Sequence, residues 1–223
     1  MANNYKEIDT NKWVRRTTFN WFKEFSNPTY CFDVKIDVTD VLNYSKETGT
    51  SFFVNFLYVI CRVNNEIESL RLRYVDEKVL LYERIDPTFT VKTTDGSFNN
   101  AGCEYKRDYQ EFYKIVKEEI NKRNGPTDNS QNYNTWDYDV FYSSCVTSIE
   151  LESMRQPLDI NNKNSLNVPR IFWGKYRLEN DRYVMLLSMN VSHILMDGEE
   201  LSSAINLVKK YCADFKKTIG NKL

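Results

Sequence analysis

Histidine is nearly absent from this chain: there is one in 223 residues, His193. A zinc site built on several imidazoles is thereby excluded. The five cysteines, Cys31, Cys61, Cys103, Cys145 and Cys212, are odd in number and never spaced as C-x-x-C. That argues against a disulfide framework or a thiolate metal site, and for a reducing compartment such as the cytoplasm. No run of carboxylates suggests a metal site of another kind, so no metal is expected. A basic excess is missing too, since 30 Lys and Arg stand against 31 Asp and Glu. Nucleic-acid and membrane-surface partners normally call for one, and neither is expected. Apolar runs break within a few residues, which leaves no candidate transmembrane helix. The opening MANNYKEIDTNKW has no apolar stretch and does not read as a secretory signal.

What is present is enough for a sizeable core, with 41% hydrophobic and 14% aromatic residues. There is no internal repeat and no low-complexity linker. The polar stretches 124–134, NGPTDNSQNYN, and 159–167, DINNKNSLN, read as surface loops, so residues 1–223 are expected to form a single domain. Hydrophobic periodicity predicts a helix from about Asn11 to Phe25, capped by Asp9 or Thr10, and a strand from Tyr30 to Val38. It predicts a short helix from Asp40 to Thr48 stopped by Gly49, and a buried helix from Phe52 to Asn65. RLRYVDEKVLLYERI reads as a hairpin and PTFTVKTT as a further strand. An amphipathic helix follows from Asp108 to Arg123. Val140–Ile149, Arg170–Leu178 and Arg182–His193 are β-rich, and a last helix is expected from Gly198 to Lys217. Strands and helices without strict βαβ alternation imply an α+β fold: a two-layer sandwich with a large mixed β-sheet covered by helices.

The lone histidine sits in NVSHILMDGEEL, residues 190–201, at the end of a strand and just before a helix. Two readings are open. In the ordinary one, His193 is a core residue satisfied by a backbone carbonyl, and Asp197 is an N-cap that Glu200 turns into a capping box. In the functional one, His193 is a base, because imidazole is the side chain whose unperturbed pKa lies near neutrality. A carboxylate at the helix start would then fix the loop that holds the ring.

H-x-x-x-D-G near the C-terminus, together with several ordered segments, resembles the chloramphenicol acetyltransferase family. The segments are DTNKWVRRTTFNWF, KIDVTDVL, VDEKVLLYERIDPTFTV, VTSIEL and WGKYRLENDRYVMLLSMNVSHILMDG. The likeness spans most of the chain and is weakest from about Gly96 to Asp139 and after Glu150. It implies a homotrimer with active sites at subunit interfaces, one subunit giving the histidine and its neighbour most of the acceptor pocket. It implies direct acetyl transfer from acetyl-CoA to the hydroxyl of chloramphenicol or a related small molecule, with a histidine as general base and no acyl-cysteine. On this likeness His193 is the base, and Asp197 is structural, paired with Arg15 or, failing that, Arg16. Ser148 donates to the oxyanion, and Lys175 and Tyr176 lie along the coenzyme A tunnel. Each residue also has an ordinary reading: a strand serine for Ser148, a solvated helix charge for Arg15, strand-end surface residues for Lys175 and Tyr176. The chain departs from the family pattern at Ser192, where a first histidine is usual, at Phe172, where a threonine is common, and at Phe22, where a tyrosine belongs to the acceptor pocket. The last two changes bear on the acceptor. The acyltransferase core of 2-oxoacid dehydrogenase complexes also ends in H-x-x-x-D-G, but a lipoyl domain and a Pro/Ala-rich linker are expected there and neither is seen here. A non-catalytic binder on the same scaffold is the reading from another class.

Overall fold

The computed structural model describes residues 4–128 and 138–220. The 124–134 loop therefore lies partly outside the described residues. In chain order the elements are β1 (Tyr5–Glu7), α1 (Arg16–Phe22), β2 (Thr29–Asp37), α2 (Thr39–Thr48), α3 (Phe52–Glu66), β3 (Leu72–Val75), β4 (Lys78–Tyr82), β5 (Asp86–Lys92) and β6 (Phe98–Gly102). Then come α4 (Tyr109–Arg123), β7 (Val140–Cys145), β8 (Arg170–Trp173), β9 (Arg177–Glu179), β10 (Arg182–Ser192), α5 (Gly198–Ala213) and α6 (Phe215–Thr218).

A mixed sheet runs in the order β2-β10-β8-β7-β5-β6, with β9 pairing along β10. β5, β7 and β8 are parallel neighbours and the remaining pairs are antiparallel. The fold is α+β, as the sequence indicated. The period of two divides the sheet into unlike faces. One face carries Phe89, Phe141, Ile171, Trp173, Met185 and Leu187 into the main core, which α2 to α5 cover. The register sets Thr90, Ser144, Phe172, Ser188 and Asp33 side by side on the other face. That second face is mostly polar.

Local chemistry accounts for the ends of the elements. Gly49 takes φ 70° after α2, the left-handed stop that glycine tolerates best. Asp108 caps α4 by accepting the Glu111 N–H at 2.8 Å. The β9–β10 turn puts Asn180 and Asp181 at positive φ, as a two-residue hairpin demands.

Several expected boundaries shift. The first helix is shorter, Arg16–Phe22, because residues 10–15 form turns; Asp9 bonds the Asn11 N–H at 3.1 Å and does not cap the helix. The strand expected over 140–149 ends at Cys145, so Ser148 stands in an exposed loop and is not a strand serine. The last helix breaks at Asp214 (φ −143°) into α5 and α6. The predicted hairpin β3–β4 leaves the large sheet and joins β1 in a sheet of three, order β1-β4-β3.

This small sheet braces α1. Phe19, Leu72, Val79, Ile194 and Leu195 make a second buried cluster. Phe19 packs edge-on against Tyr74 at 5.3 Å and against Trp13 at 5.8 Å. Phe19 is 4% exposed, so Phe19→Ala is expected to cost about 3 kcal/mol through lost burial and a residual cavity. Urea denaturation checks it, and a loss below about 1 kcal/mol would mean that α1 is not anchored by this ring.

Candidate active site

β10 delivers His193 to the end of the large sheet. Its backbone N–H donates to the Pro28 carbonyl at 2.8 Å, which pins the exit of β10 to the entry of β2. The imidazole then lies in an aromatic bracket. Phe22 of α1 stacks on it with centroids 4.0 Å apart and planes at 10°, and Tyr30 of β2 leans on it at 4.7 Å. Tyr30 donates its hydroxyl to the Met196 carbonyl at 3.3 Å. Burial first, then the nearby Asp197 and Glu200 carboxylates, push its pKa up, so it stays a neutral phenol.

The loop after His193 is tied down by Arg15. This side chain is 11% exposed. Nη1 bonds Asp197 Oδ2 and, at 3.1 Å, Glu200 Oε2. Nη2 bonds Asp197 Oδ1 at 3.0 Å and the carbonyl of His193 itself at 3.2 Å. Arg16, the fallback, is exposed. Glu200 accepts the Asp197 N–H at 2.9 Å, so the same carboxylate starts α5 and receives Arg15. His193 Nδ1 is 3.3 Å from Asp197 Oδ1, yet out of line for a hydrogen bond, and has no partner of that kind. Close approach without alignment makes the Asp197 contact with the ring electrostatic.

The other sequence candidates lie elsewhere. Ser148 and Phe172 line a cavity of about 1060 Å³ against the polar face of the sheet, with Thr90, Ser144 and Arg170 in its walls. His193 is not among the lining residues. Its ring rests on Tyr30, which packs on the helix-covered side, whereas the cavity occupies the opposite side. Lys175 is exposed, and Tyr176 packs against Phe52 at 5.1 Å and Tyr183 at 5.8 Å. Tyr183 is ten positions before His193 in the chain, so Lys175 and Tyr176 belong to the far end of β10, roughly 30 Å away by strand rise. One chain thus brings together Arg15, Asp197 and His193 and holds Ser148, Lys175 and Tyr176 apart from them. Among the described residues no group of three or more His, Cys, Asp or Glu side chains could share a metal ion, and no helix is long and apolar enough to cross a membrane.

Tyr30 and Arg170 were not singled out from sequence. Tyr30 read as a strand position, and only the pairing of Tyr30 with Val191 brings it to the histidine. Arg170 had one visible signal, a lone charge inside the β-rich VPRIFW.

Comparison with known proteins places nearly the whole chain in a family. The family described as Chloramphenicol acetyltransferase matches residues 3–209. The chain is 24% identical to a chloramphenicol acetyltransferase of Proteus mirabilis over 212 residues, covering 92% of this chain and 93% of that protein. A solved chloramphenicol acetyltransferase is 26% identical, with a TM-score of 0.84 over 94% of this chain and 100% of that one. A probable dihydrolipoamide acetyltransferase from Listeria monocytogenes shares the fold at 15% identity and a TM-score of 0.64, covering 97% and 96%.

Arg15 and Asp197 should be energetically coupled. A double-mutant cycle with Arg15→Ala and Asp197→Ala is expected to give about 1–2 kcal/mol, below a fully buried pair because Asp197 is 43% exposed. Coupling indistinguishable from zero in denaturation experiments would mean that the pair does not hold the loop.

The chain belongs to the chloramphenicol acetyltransferase family.

Proposed function

We propose that this member of the family is an acetyl-CoA-dependent O-acetyltransferase that uses His193 as general base on the hydroxyl of a small-molecule acceptor. The observation that carries this reading is the clamped imidazole: two rings fix its plane, and Arg15 fixes the backbone that bears it. Such preorganisation is what general-base catalysis needs.

The proposed chemistry is a direct transfer. The Asp197 carboxylate beside Nδ1 favours the tautomer with its proton there. Nε2 then keeps a lone pair. It takes the hydroxyl proton as the acceptor oxygen attacks the thioester carbonyl of acetyl-CoA. The C–S bond breaks, and the proton held by the imidazole goes to the departing thiolate. The charge on the carbonyl oxygen needs a donor while it lasts, and the hydroxyl of Ser148 is assigned that part. Lys175 and Tyr176 are assigned to the coenzyme A chain, an exposed cation for phosphate and a ring for the pantetheine arm. Asp197 and Arg15 act through the histidine as positioning residues.

Because His193 and the Ser148 cavity lie apart within one chain, the complete site is built from two copies, with the imidazole of one over the cavity of the next. A homotrimer closes such head-to-tail contacts into a ring. The free cysteines fit a reducing compartment such as the cytoplasm.

Phe172 in the wall of the Ser148 cavity and Phe22 on the imidazole favour a second reading of the acceptor: the same acyl transfer to a molecule other than chloramphenicol. Thiol release from acetyl-CoA tests both, with chloramphenicol and a panel of hydroxylated acceptors. His193→Ala is expected to lower the best rate by about 10²–10⁴-fold with the fold retained. Full activity in that variant would remove the base. No release with any acceptor would leave the scaffold as a binder.

A further inference from the structure

Arg170 opens β8 on the polar face and lines the cavity that holds Ser148. It is 7% exposed, so its charge is almost wholly withdrawn from bulk water. Nη1 donates to the carbonyls of Ser165 and Val168, both at 3.0 Å, and the guanidinium lies over the Tyr142 ring at 5.2 Å. Burial lowers its pKa, opposed only by Tyr142. No carboxylate among the described residues pairs with it, and Nε and Nη2 make no hydrogen bond there.

The other buried arginine shows what a purely structural guanidinium looks like. Arg73 is fully buried and uses all three nitrogens on the carbonyls of Leu70, Leu72, Tyr138 and Val140. It does not line the cavity. Arg170 keeps two nitrogens spare, and it does.

Among the described residues, no carboxylate of the surroundings reaches Arg170 as an ion-pair partner. Asp159 is the one carboxylate among the described lining residues; it is exposed, accepts the Asn161 N–H at 3.0 Å, and forms no ion pair with Arg170. Lys92 adds a second cation to the wall. Directly across from Arg170, Asn190 has a buried amide oxygen without a partner. The two spare nitrogens of Arg170 are not sealed in the protein but open to the cavity, where an anion would complete them. A guanidinium fork matches a carboxylate or phosphate bidentately.

We propose that the acceptor of this enzyme is an anion: a hydroxylated small molecule whose carboxylate or phosphate group is held by Arg170. The proposal rests on the acyltransferase reading of the cavity. Coenzyme A carries phosphates too, but Lys175 and Tyr176 follow β8 at its other end, about 17 Å along the strand from Arg170. Ser148 shares the cavity with Arg170. The anion site thus belongs to the acceptor side.

The test measures binding of 4-nitrobenzoate, 4-nitrobenzamide and 4-nitrophenyl phosphate by calorimetry. Wild type, Arg170→Met, Arg170→Lys and His193→Ala are compared. In wild type the two anions are expected to bind about tenfold or more tighter than the neutral amide. Arg170→Met should abolish that preference, and Arg170→Lys, which keeps the charge but not the fork, should retain part of it and remains informative if the methionine variant does not fold. His193→Ala should keep all of it. Saturating coenzyme A should leave anion binding in place. Equal affinities in wild type, a preference that survives in Arg170→Met, or displacement by coenzyme A would each overturn the proposal. Charge preference together with no thiol release from acetyl-CoA for any acceptor would instead overturn the acyltransferase reading and leave the anion site standing.

Discussion

The site depends on one side chain, Arg15. It joins segments of chain 182 residues apart, bonding Asp197 and Glu200 at the start of α5 and the carbonyl of His193. The two carboxylates suit the positive end of that helix, so Arg15 meets anions already favoured where they stand. Without them the guanidinium would be a nearly dry cation. With them the loop between β10 and α5 has one arrangement, and the stacking of Phe22 on the imidazole follows from the same contact, because Arg15 and Phe22 flank a single short helix.

α1 could not hold that position alone, since seven residues are too few for a helix stable by itself. Its anchor is the three-stranded sheet, reached through Phe19. The large sheet sets a second constraint. Alternation gives it one apolar face under the helices and one polar face under the cavity, and β10 spans the division. His193 leaves on the helix side, while Ser148 and Arg170 serve the other. A chain built this way holds His193 and the Ser148 cavity on opposite sides of one sheet.

Much of this was legible in the sequence. Gly49, the apolar helix from Phe52 and the alternating strands before His193 each announce themselves by period or by turn chemistry. H-x-x-x-D-G and WVRR pointed to the residues that the fold gathers around the imidazole. What could not be read was decided by distant pairing. β6, in GSFNNAG, has weak strand propensity and exists because β5 lies beside it. β1 is three residues long and is recruited by β4. Tyr30 reaches the histidine through strand register, and Arg170 becomes notable only once it is seen to be buried with no carboxylate partner among the described residues. The first helix came out too long because Asp9 bonds locally in a turn, a competition that side chains of this type often win.

The central claim, that His193 of one copy works over the cavity of another, is tested most directly by mixing two defective proteins. His193→Ala lacks the base but keeps the cavity, and Ser148→Ala keeps the base but lacks the oxyanion donor. Unfolded together in equal amounts and refolded, they should form contacts in which an intact His193 meets an intact Ser148, restoring about a quarter of the wild-type rate of thiol release. A mixture no more active than the average of its two parents would contradict the account.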